Sequence, residues 1–456
     1  MPLIQMIDHD NRAVRLLPTE LLDQRSNAFT VVVGKNGVGK SRLLTNIVKA
    51  NTAHRAFVDP LDGFSSQSEE LVIAVSTNAF DKFPVPPRSI HRKTLPNYRY
   101  VGIRAEFGRA PTPAVTLISS AAKGLLRKLL SGQDLRLSAV FRSLQFSPVV
   151  EFVLKPSFSR VNYFDHAEVK YKIHSNEYFF IKDDLGEELR IDKSFRDYYA
   201  ELPSEAKERL AGQMANLARH FESAKALTLQ VDFMSGACML DGNPADFETI
   251  QAIYYLMNAS PILRIMDVRL DKLGYGDLSL RRASSGEQCM LIMMLGIAGH
   301  IENDSLILID EPEVSLHPRW QEEFMPLLDA CFETYTGCHF IVATHSPQII
   351  SRMNNDNSFI LSLSDGQLYS AKDFIKKSAD YQLAVLFDAP GLMNEYISRF
   401  SFNLIAKLKS RNMVNFEINQ DMEKLLELKA KLEDVDPLKN LIASVEELFE
   451  YYANNQ

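Results

Sequence analysis

The sequence predicts an α/β protein with an insertion of helices and antiparallel strands in its middle and a helical region at its C-terminal end. Three observations predict this. Short aliphatic and β-branched runs, bounded by turn residues, occur before residue 80 and again after residue 300. Between about 90 and 280, helix-period and strand-period stretches are mixed. From Tyr381 onward the apolar residues keep helical spacing.

Each element follows from its residues. Phe29–Val33 is a β-branched run that meets Gly34, and it reads as a buried strand. Ser41–Ala50 places Leu43, Leu44, Ile47 and Val48 as a helix does. Leu71–Val75 is a second strand, followed by STNAFDKFPVPP, where prolines 84, 86 and 87 end any element. Ala121–Leu130 reads as helix, and Val149–Leu154 and Val169–Lys182 as strands, the latter broken by HSNE. Phe195–Ala226 reads as a long polar helix broken at Pro203, and Asp246–Met257 as another helix. Buried strands return at Ser305–Ile309 and His339–Ala343. An edge strand, Phe359–Leu363, is expected to end at the Ser-Asp-Gly turn of residues 364–366. Pro437 separates KLLELKAKLE from a helix whose face is Leu441, Ile442, Val445, Leu448 and Phe449. The expected divisions are 1–90, 91–280, 281–370 and 371–456. No internal repeat and no long heptad run is visible.

Composition narrows the classes. A chain of 456 residues, 46% hydrophobic and 24% charged, can bury a full core. Twenty glycines and 20 prolines exclude collagen-like and low-complexity classes. A net charge of −8 argues against a wholly basic nucleic-acid coat, although a local basic groove stays open. Cys238, Cys289, Cys331 and Cys338 have no zinc or iron–sulfur spacing and read as buried free thiols. MPLIQMIDHD has no secretory pattern, and no apolar run approaches about 20 residues, so a cytoplasmic protein with no membrane partner is expected.

Four segments carry chemistry. Gly34-Lys35-Asn36-Gly37-Val38-Gly39-Lys40-Ser41 has Walker A spacing between a strand and a helix. Its glycines let backbone N–H groups wrap a phosphate, and the helix adds its positive end. Lys40 is expected on the β and γ phosphates and Ser41 on Mg²⁺. In Leu306-Ile307-Leu308-Ile309-Asp310-Glu311-Pro312 a buried strand ends in two carboxylates. Asp310 fits a Mg²⁺ ligand acting through water, and Glu311 a group that polarises the attacking water. Ala283-Ser284-Ser285-Gly286-Glu287-Gln288 is a Ser/Gly turn ahead of a helix, a short step before those acids. Ala343-Thr344-His345-Ser346-Pro347 puts a histidine at a strand end, where it can sense a γ-phosphate.

The ordered set GKNGVGKS, ASSGEQ, LILIDEPEVSLHP and ATHSP resembles the ABC-type ATPase heads of the RecF, SMC and OLD lineage. That resemblance implies an ABC-type P-loop ATPase head and ATP with Mg²⁺ as ligands. It implies Lys40, Glu311 and His345 as the catalytic set, and Ser41 and Asp310 as metal ligands. Nucleotide contacts would come from Gly34, Asn36, Gly37, Gly39, Lys40, Ser41 and Arg42. Ser284, Ser285, Gly286 and Glu287 would serve the nucleotide of the opposite protomer in a homodimer with composite sites. Ala283 departs from the usual Leu. Ser315-Leu316-His317-Pro318 matches the D-loop region. Leu71–Phe83 lacks the Q-loop glutamine, and Asn78 or Asp81 is left to take its role. No Toprim acid set follows Pro347, and Glu433-Asp434-Val435-Asp436 reads as a solvated linker. The chain is therefore most similar to Toprim-less defence ATPases, the PtuA-type ATPases of the Septu system and their retron-associated relatives.

The resemblance implies an ATPase that regulates a separate HNH-type nuclease in anti-phage defence, with DNA or another nucleic acid as a further partner. The alternative is a stand-alone DNA repair or recombination ATPase of RecF type. A transporter subunit fits less well, given the long insertion, the missing glutamine and the EPEVSLHP wording. A degenerate scaffold would lack catalytic residues that are all present here.

Overall fold

The computed structural model describes residues 3–21, 25–52, 70–85, 97–104, 113–132, 135–161, 177–183, 185–221, 226–259, 262–353, 356–411 and 413–454. The first part of the expected strand Val169–Lys182 lies outside them.

The chain opens with a hairpin, β1 (Met6–His9) and β2 (Arg12–Arg15), turning at Asp10 and Asn11. Both turn residues have positive φ, which Asp and Asn tolerate. Then come β3 (Ala28–Val33), α1 (Lys40–Asn51), β4 (Val72–Ser76), β5 (Tyr98–Gly102), α2 (Pro113–Leu130) and α3 (Leu135–Ser143). The middle holds β6 (Phe146–Pro156), β7 (Phe158–Arg160), β8 (Tyr178–Lys182), β9 (Glu188–Asp192), α4 (Arg196–Glu201) and α5 (Ser204–Ala218). It continues through β10 (Leu227–Asp232), β11 (Cys238–Leu240), β12 (Asn243–Pro244), α6 (Phe247–Ala259), β13 (Leu263–Lys272) and β14 (Gly276–Ser279). Next are α7 (Ser285–Ala298), β15 (Leu306–Asp310), α8 (Pro318–Phe332), β16 (His339–Ala343) and α9 (Pro347–Ser351). The chain closes with β17 (Ser358–Ser362), β18 (Gln367–Ser370), α10 (Ala379–Val385), α11 (Glu395–Arg411), α12 (Phe416–Ala430) and α13 (Leu438–Asn454).

A seven-stranded sheet runs β18-β17-β3-β16-β15-β4-β5, parallel throughout except for β18. Parallel strands need crossovers, which cover both faces, so strands such as VIAVS and LILID are buried along their length. Their registers are aligned: Asp310 pairs with Ser76 on one side and Ala343 on the other, and Ala343 pairs with Val32. The loops that leave β3, β4, β15 and β16 therefore emerge side by side, where ligands bind in open α/β sheets.

This sheet takes in β5, which lies within the stretch expected to be an insertion. Nor is Phe359–Leu363 an edge strand. Residues 364–366 turn the chain back, with Gly366 at φ 73, so that β18 becomes the edge. The expected helical stretch from Phe195 breaks at Pro203 as its sequence predicts, giving α4 and α5, while residues 222–225 of it lie outside the described residues.

Two antiparallel sheets fill the middle: β12-β11-β10-β6-β13-β14 and β7-β9-β8. β10 alternates buried and half-buried residues, as a sheet with one covered face should. Helix α2 packs on β5, β13 and α7, joining the two sheet systems. Its contact with α7 brings backbone to backbone. A Cβ added at Gly299 would meet the Gly124 carbonyl carbon at 2.6 Å, and one at Gly296 would meet Val101 at 2.5 Å.

The C-terminal helices have their own apolar cluster, including Ile397, Leu404, Leu408, Ile418, Leu425, Ile442 and Val445. Asp436 is not part of a solvated linker. It is buried, its Oδ1 accepts the Leu438 N–H at 2.9 Å, and its Oδ2 accepts the Met393 N–H at 3.3 Å.

Candidate functional site

The loop between β3 and α1 is shaped by glycine. Gly37 has open space around it, yet its φ of 79 disfavours any side chain. Gly39 has φ 107, and a Cβ there would also crowd Arg42 and His9. This backbone carries Lys40 into the first turn of α1. The Lys40 ammonium donates to the carbonyls of Gly34 (2.9 Å) and Lys35 (3.2 Å) and lies 3.2 Å from His345 Nδ1. Burial pulls Lys40 down to about 8, against the nearby Glu311, Glu313 and Asp310 carboxylates. An ammonium only donates, so His345 Nδ1 accepts, and the imidazole is neutral with its proton on Nε2. Burial and the Lys40 charge both lower the His345 pKa, in agreement with a neutral ring.

The acids stand opposite. Ser41 Oγ donates to Asp310 Oδ1 at 3.0 Å. Burial pushes Asp310 up to about 7, and the Ser41 hydrogen bond opposes the rise. Glu311 adopts a left-handed backbone, φ 50 and ψ 57. Such strain in a residue with a side chain is tolerated when the surroundings hold it, and it re-aims the carboxylate. Glu311 Oε2 accepts from Asn78 Nδ2 at 2.9 Å, and Oε1 lies 3.7 Å from His345 Nε2.

Lys40, Ser41, Asp310, Glu311 and His345 are thus brought together, as the spacing predicts. Of the two Q-loop candidates, Asn78 reaches the site. Asp81 is buried in a separate cluster, taking Tyr100 OH at 2.6 Å and Arg104 Nη2 at 2.5 Å. Asn36 is exposed on the loop. Arg42 does not face the loop's centre but pairs with Asp10 of the β1–β2 turn at 2.5 Å.

The segment Ser284–Glu287 lies apart. Among the described residues, no hydrogen bond or ion pair joins it to the P-loop. Ser284 Oγ caps α7 by accepting the Glu287 N–H, and Ser284 and Ser285 are exposed. Glu287 pairs with Lys272 of β13 at 2.7 Å. His317 likewise caps α8, its Nδ1 accepting the Arg319 N–H at 3.4 Å.

Sequence reasoning missed three residues near the site. Glu313 folds back to accept the His345 N–H, Gln321 binds Ser346, and Asp388 of the C-terminal region pairs with Lys35 of the P-loop at 2.7 Å. The repeated acid in EPE was the one available signal for Glu313.

The residues fit a nucleotide with Mg²⁺. Ser41 and Asp310 offer paired hard oxygens beside a phosphate-binding loop, and Mg²⁺ in such sites takes one or two protein ligands plus phosphates and waters. Among the described residues, no cluster of three or more His, Cys, Asp or Glu side chains could hold a metal ion. No described helix is long and apolar enough to cross a membrane.

Comparison with known proteins agrees with an ATPase region. The family described as "AAA domain, putative AbiEii toxin, Type IV TA system" matches residues 260–351. That stretch contains Ser284–Glu287, Asp310, Glu311 and His345, while the P-loop lies outside it. The retron Ec83 probable ATPase of Escherichia coli is 25% identical over 223 residues, 40% of this chain and 40% of that protein. Protein ea59 of Escherichia phage lambda is 31% identical over 118 residues, 25% of this chain and 22% of that protein. The retron Vc95 probable ATPase of Vibrio cholerae is 29% identical over 107 residues, 21% of this chain and 20% of that protein. The matched regions span at most 40% of the length of these curated relatives. The chain is a mixed α/β protein with an AAA-type ATPase region and further helices and strands.

Proposed function

We propose that this protein binds and hydrolyses ATP with Mg²⁺, as an ABC-type ATPase of the RecF, SMC and OLD kind. The observation that carries this reading is the convergence of Lys40, Ser41, Asp310, Glu311, Asn78 and His345 at the aligned ends of β3, β4, β15 and β16. In this reading the Lys40 ammonium leaves the loop carbonyls for the phosphates. Asn78 orients Glu311, which accepts the proton of the attacking water, and His345 contacts the γ-phosphate. Mg²⁺ on Ser41 and Asp310 would neutralise charge on the phosphates. Two chains would complete two sites, each borrowing the Ser284–Glu287 segment of the other. Steady-state turnover beside nucleotide affinity tests the assignment. Glu311→Gln should bind nucleotide and lose hydrolysis, and wild-type turnover in that variant would remove Glu311 from the role.

The ATPase is further proposed to govern a separate nuclease, of HNH type, in defence against phage. Similarity to two retron probable ATPases and to a toxin–antitoxin family supports that setting. The full chain should hydrolyse ATP but cut neither single- nor double-stranded DNA with Mg²⁺ or Mn²⁺, and cleavage should require the added nuclease. DNA cleavage by the chain alone, abolished by a substitution outside the ATP site, would overturn this division.

A further inference from the structure

Three neighbouring contacts outside the roles assigned so far converge on the loop that carries His345. The His345 backbone N–H donates to Glu313 Oε1 at 2.5 Å. The next residue, Ser346, donates from Oγ to Gln321 Oε1 at 2.6 Å. Gln321 sits in the first turn of α8, and its Nε2 donates back to the Leu316 carbonyl at 2.9 Å, closing the turn that contains Glu313. The loop after β16 is thereby fastened to the turn after β15 at two successive residues. The His345 ring, between Lys40 and Glu311, depends on where that backbone stands. Burial raises the Glu313 pKa, and hydrogen bonds from the His345 N–H and the Thr344 side chain lower it, so both partners lie on the loop that carries the ring.

We propose that Glu313 is a positioning residue for hydrolysis: through the His345 N–H, and together with Gln321 and Ser346, it fixes the imidazole between Lys40 and Glu311. The inference rests on the ATPase reading for its kinetics but not for its geometry. A displacement of about 1 Å in a catalytic group costs on the order of 10²-fold in rate. Glu313→Ala frees the loop backbone, whereas Glu313→Gln keeps an oxygen that can accept the same N–H.

The test uses the full chain, with folding checked by circular dichroism. Glu313→Ala should lower kcat by about 10- to 100-fold, with nucleotide affinity kept within about 3-fold, and Glu313→Gln should stay within about 3-fold of wild type in both. In a His345→Ala background, Glu313→Ala should add less than about 2-fold, because its effect passes through that ring. Chain labelled with ¹⁵N-histidine gives a readout without turnover: the His345 ring signals should shift in Glu313→Ala and stay in Glu313→Gln. If the Ala variant does not fold, Gln321→Ala loosens the same loop and should shift the same signals. Equal losses with and without His345, equal damage from Gln and Ala, or an unmoved His345 signal would overturn the proposal. A wild-type chain that hydrolyses no ATP, with the His345 signal still tied to Glu313, would instead fail the ATPase reading.

Discussion

The P-loop half of the site and the Ser284–Glu287 segment are built by opposite means. Around Lys40, six side chains from four strand ends satisfy one another within hydrogen-bonding or ion-pair distance, and Lys40 and Asp310 are buried. Around Ser284, the hydroxyl is spent on a helix cap, Glu287 is spent on Lys272, and two serines face solvent. The first is a cluster whose polar groups are paired with one another within one chain. The second is an exposed helix start that, among the described residues, makes no hydrogen bond or ion pair with the P-loop, the arrangement that the proposed sharing of sites between two chains needs.

Four measurements would break or sharpen that contrast. The largest effect belongs to the P-loop half. Glu311→Gln should lower turnover by about 10²–10⁴-fold with little change in affinity, whereas Lys40→Ala should weaken nucleotide binding itself. The second concerns the shared site. Lys40→Ala and Ser284→Arg chains should each be inactive alone and recover activity on mixing, since one heterodimer site is intact. Heterodimers that form without activity would mean each chain hydrolyses by itself.

The third is a pH window. In the metal-free protein Asp310 titrates at about 7 and must be ionised to take Mg²⁺. Mg²⁺ affinity should therefore fall about tenfold per pH unit below that value and level off above it. Lys40 titrates at about 8, so phosphate binding should weaken as pH rises past that point. Calorimetric titration of Mg²⁺-nucleotide should peak between the two values, and Asp310→Asn should erase the acidic limb. The smallest effect concerns the second half. Lys272→Met should cost under about 1 kcal/mol of stability, the value of a partly exposed pair. A Glu287→Gln loss of turnover far beyond that stability change would make Glu287 a nucleotide contact rather than an anchor.

The residues that could be read from sequence are those whose chemistry coincides with a strand's end. Lys40, Asp310, Glu311 and His345 each follow a buried aliphatic run, so both the element and the exit point are marked. Asn78 follows such a run too, but only the fold shows that its amide meets Glu311 while Asp81 is consumed by Tyr100 and Arg104. Glu313 and Gln321 act across eight residues through a tight turn that no periodicity announces. In the central antiparallel sheet, Val149–Leu154 of β6 was legible, but its neighbour β13 was hidden for another reason. In β13, register shifts between Ile265 and Asp267 and between Leu270 and Lys272 interrupt the period-two pattern of LRIMDVRLDK. Asp436 was misread because its acidic neighbours suggest solvent, while its own carboxylate caps two backbone segments.

The meeting of Gly124 with Gly299 has a mechanical consequence. Helix α7 runs through the core with Ser285 at its exposed start, and its far end touches the backbone of α2 with no side chain between them. Side chains at such a crossing can rotate and absorb a small displacement, but bare backbone cannot. The same helix meets β5 at Gly296 against Val101. The crossing therefore fixes the spacing of α7 and α2, and with it the seat of α2 on β13. Gly299→Ala would force the two backbones apart and should lower the stability of the fold, read as a lower midpoint of thermal unfolding.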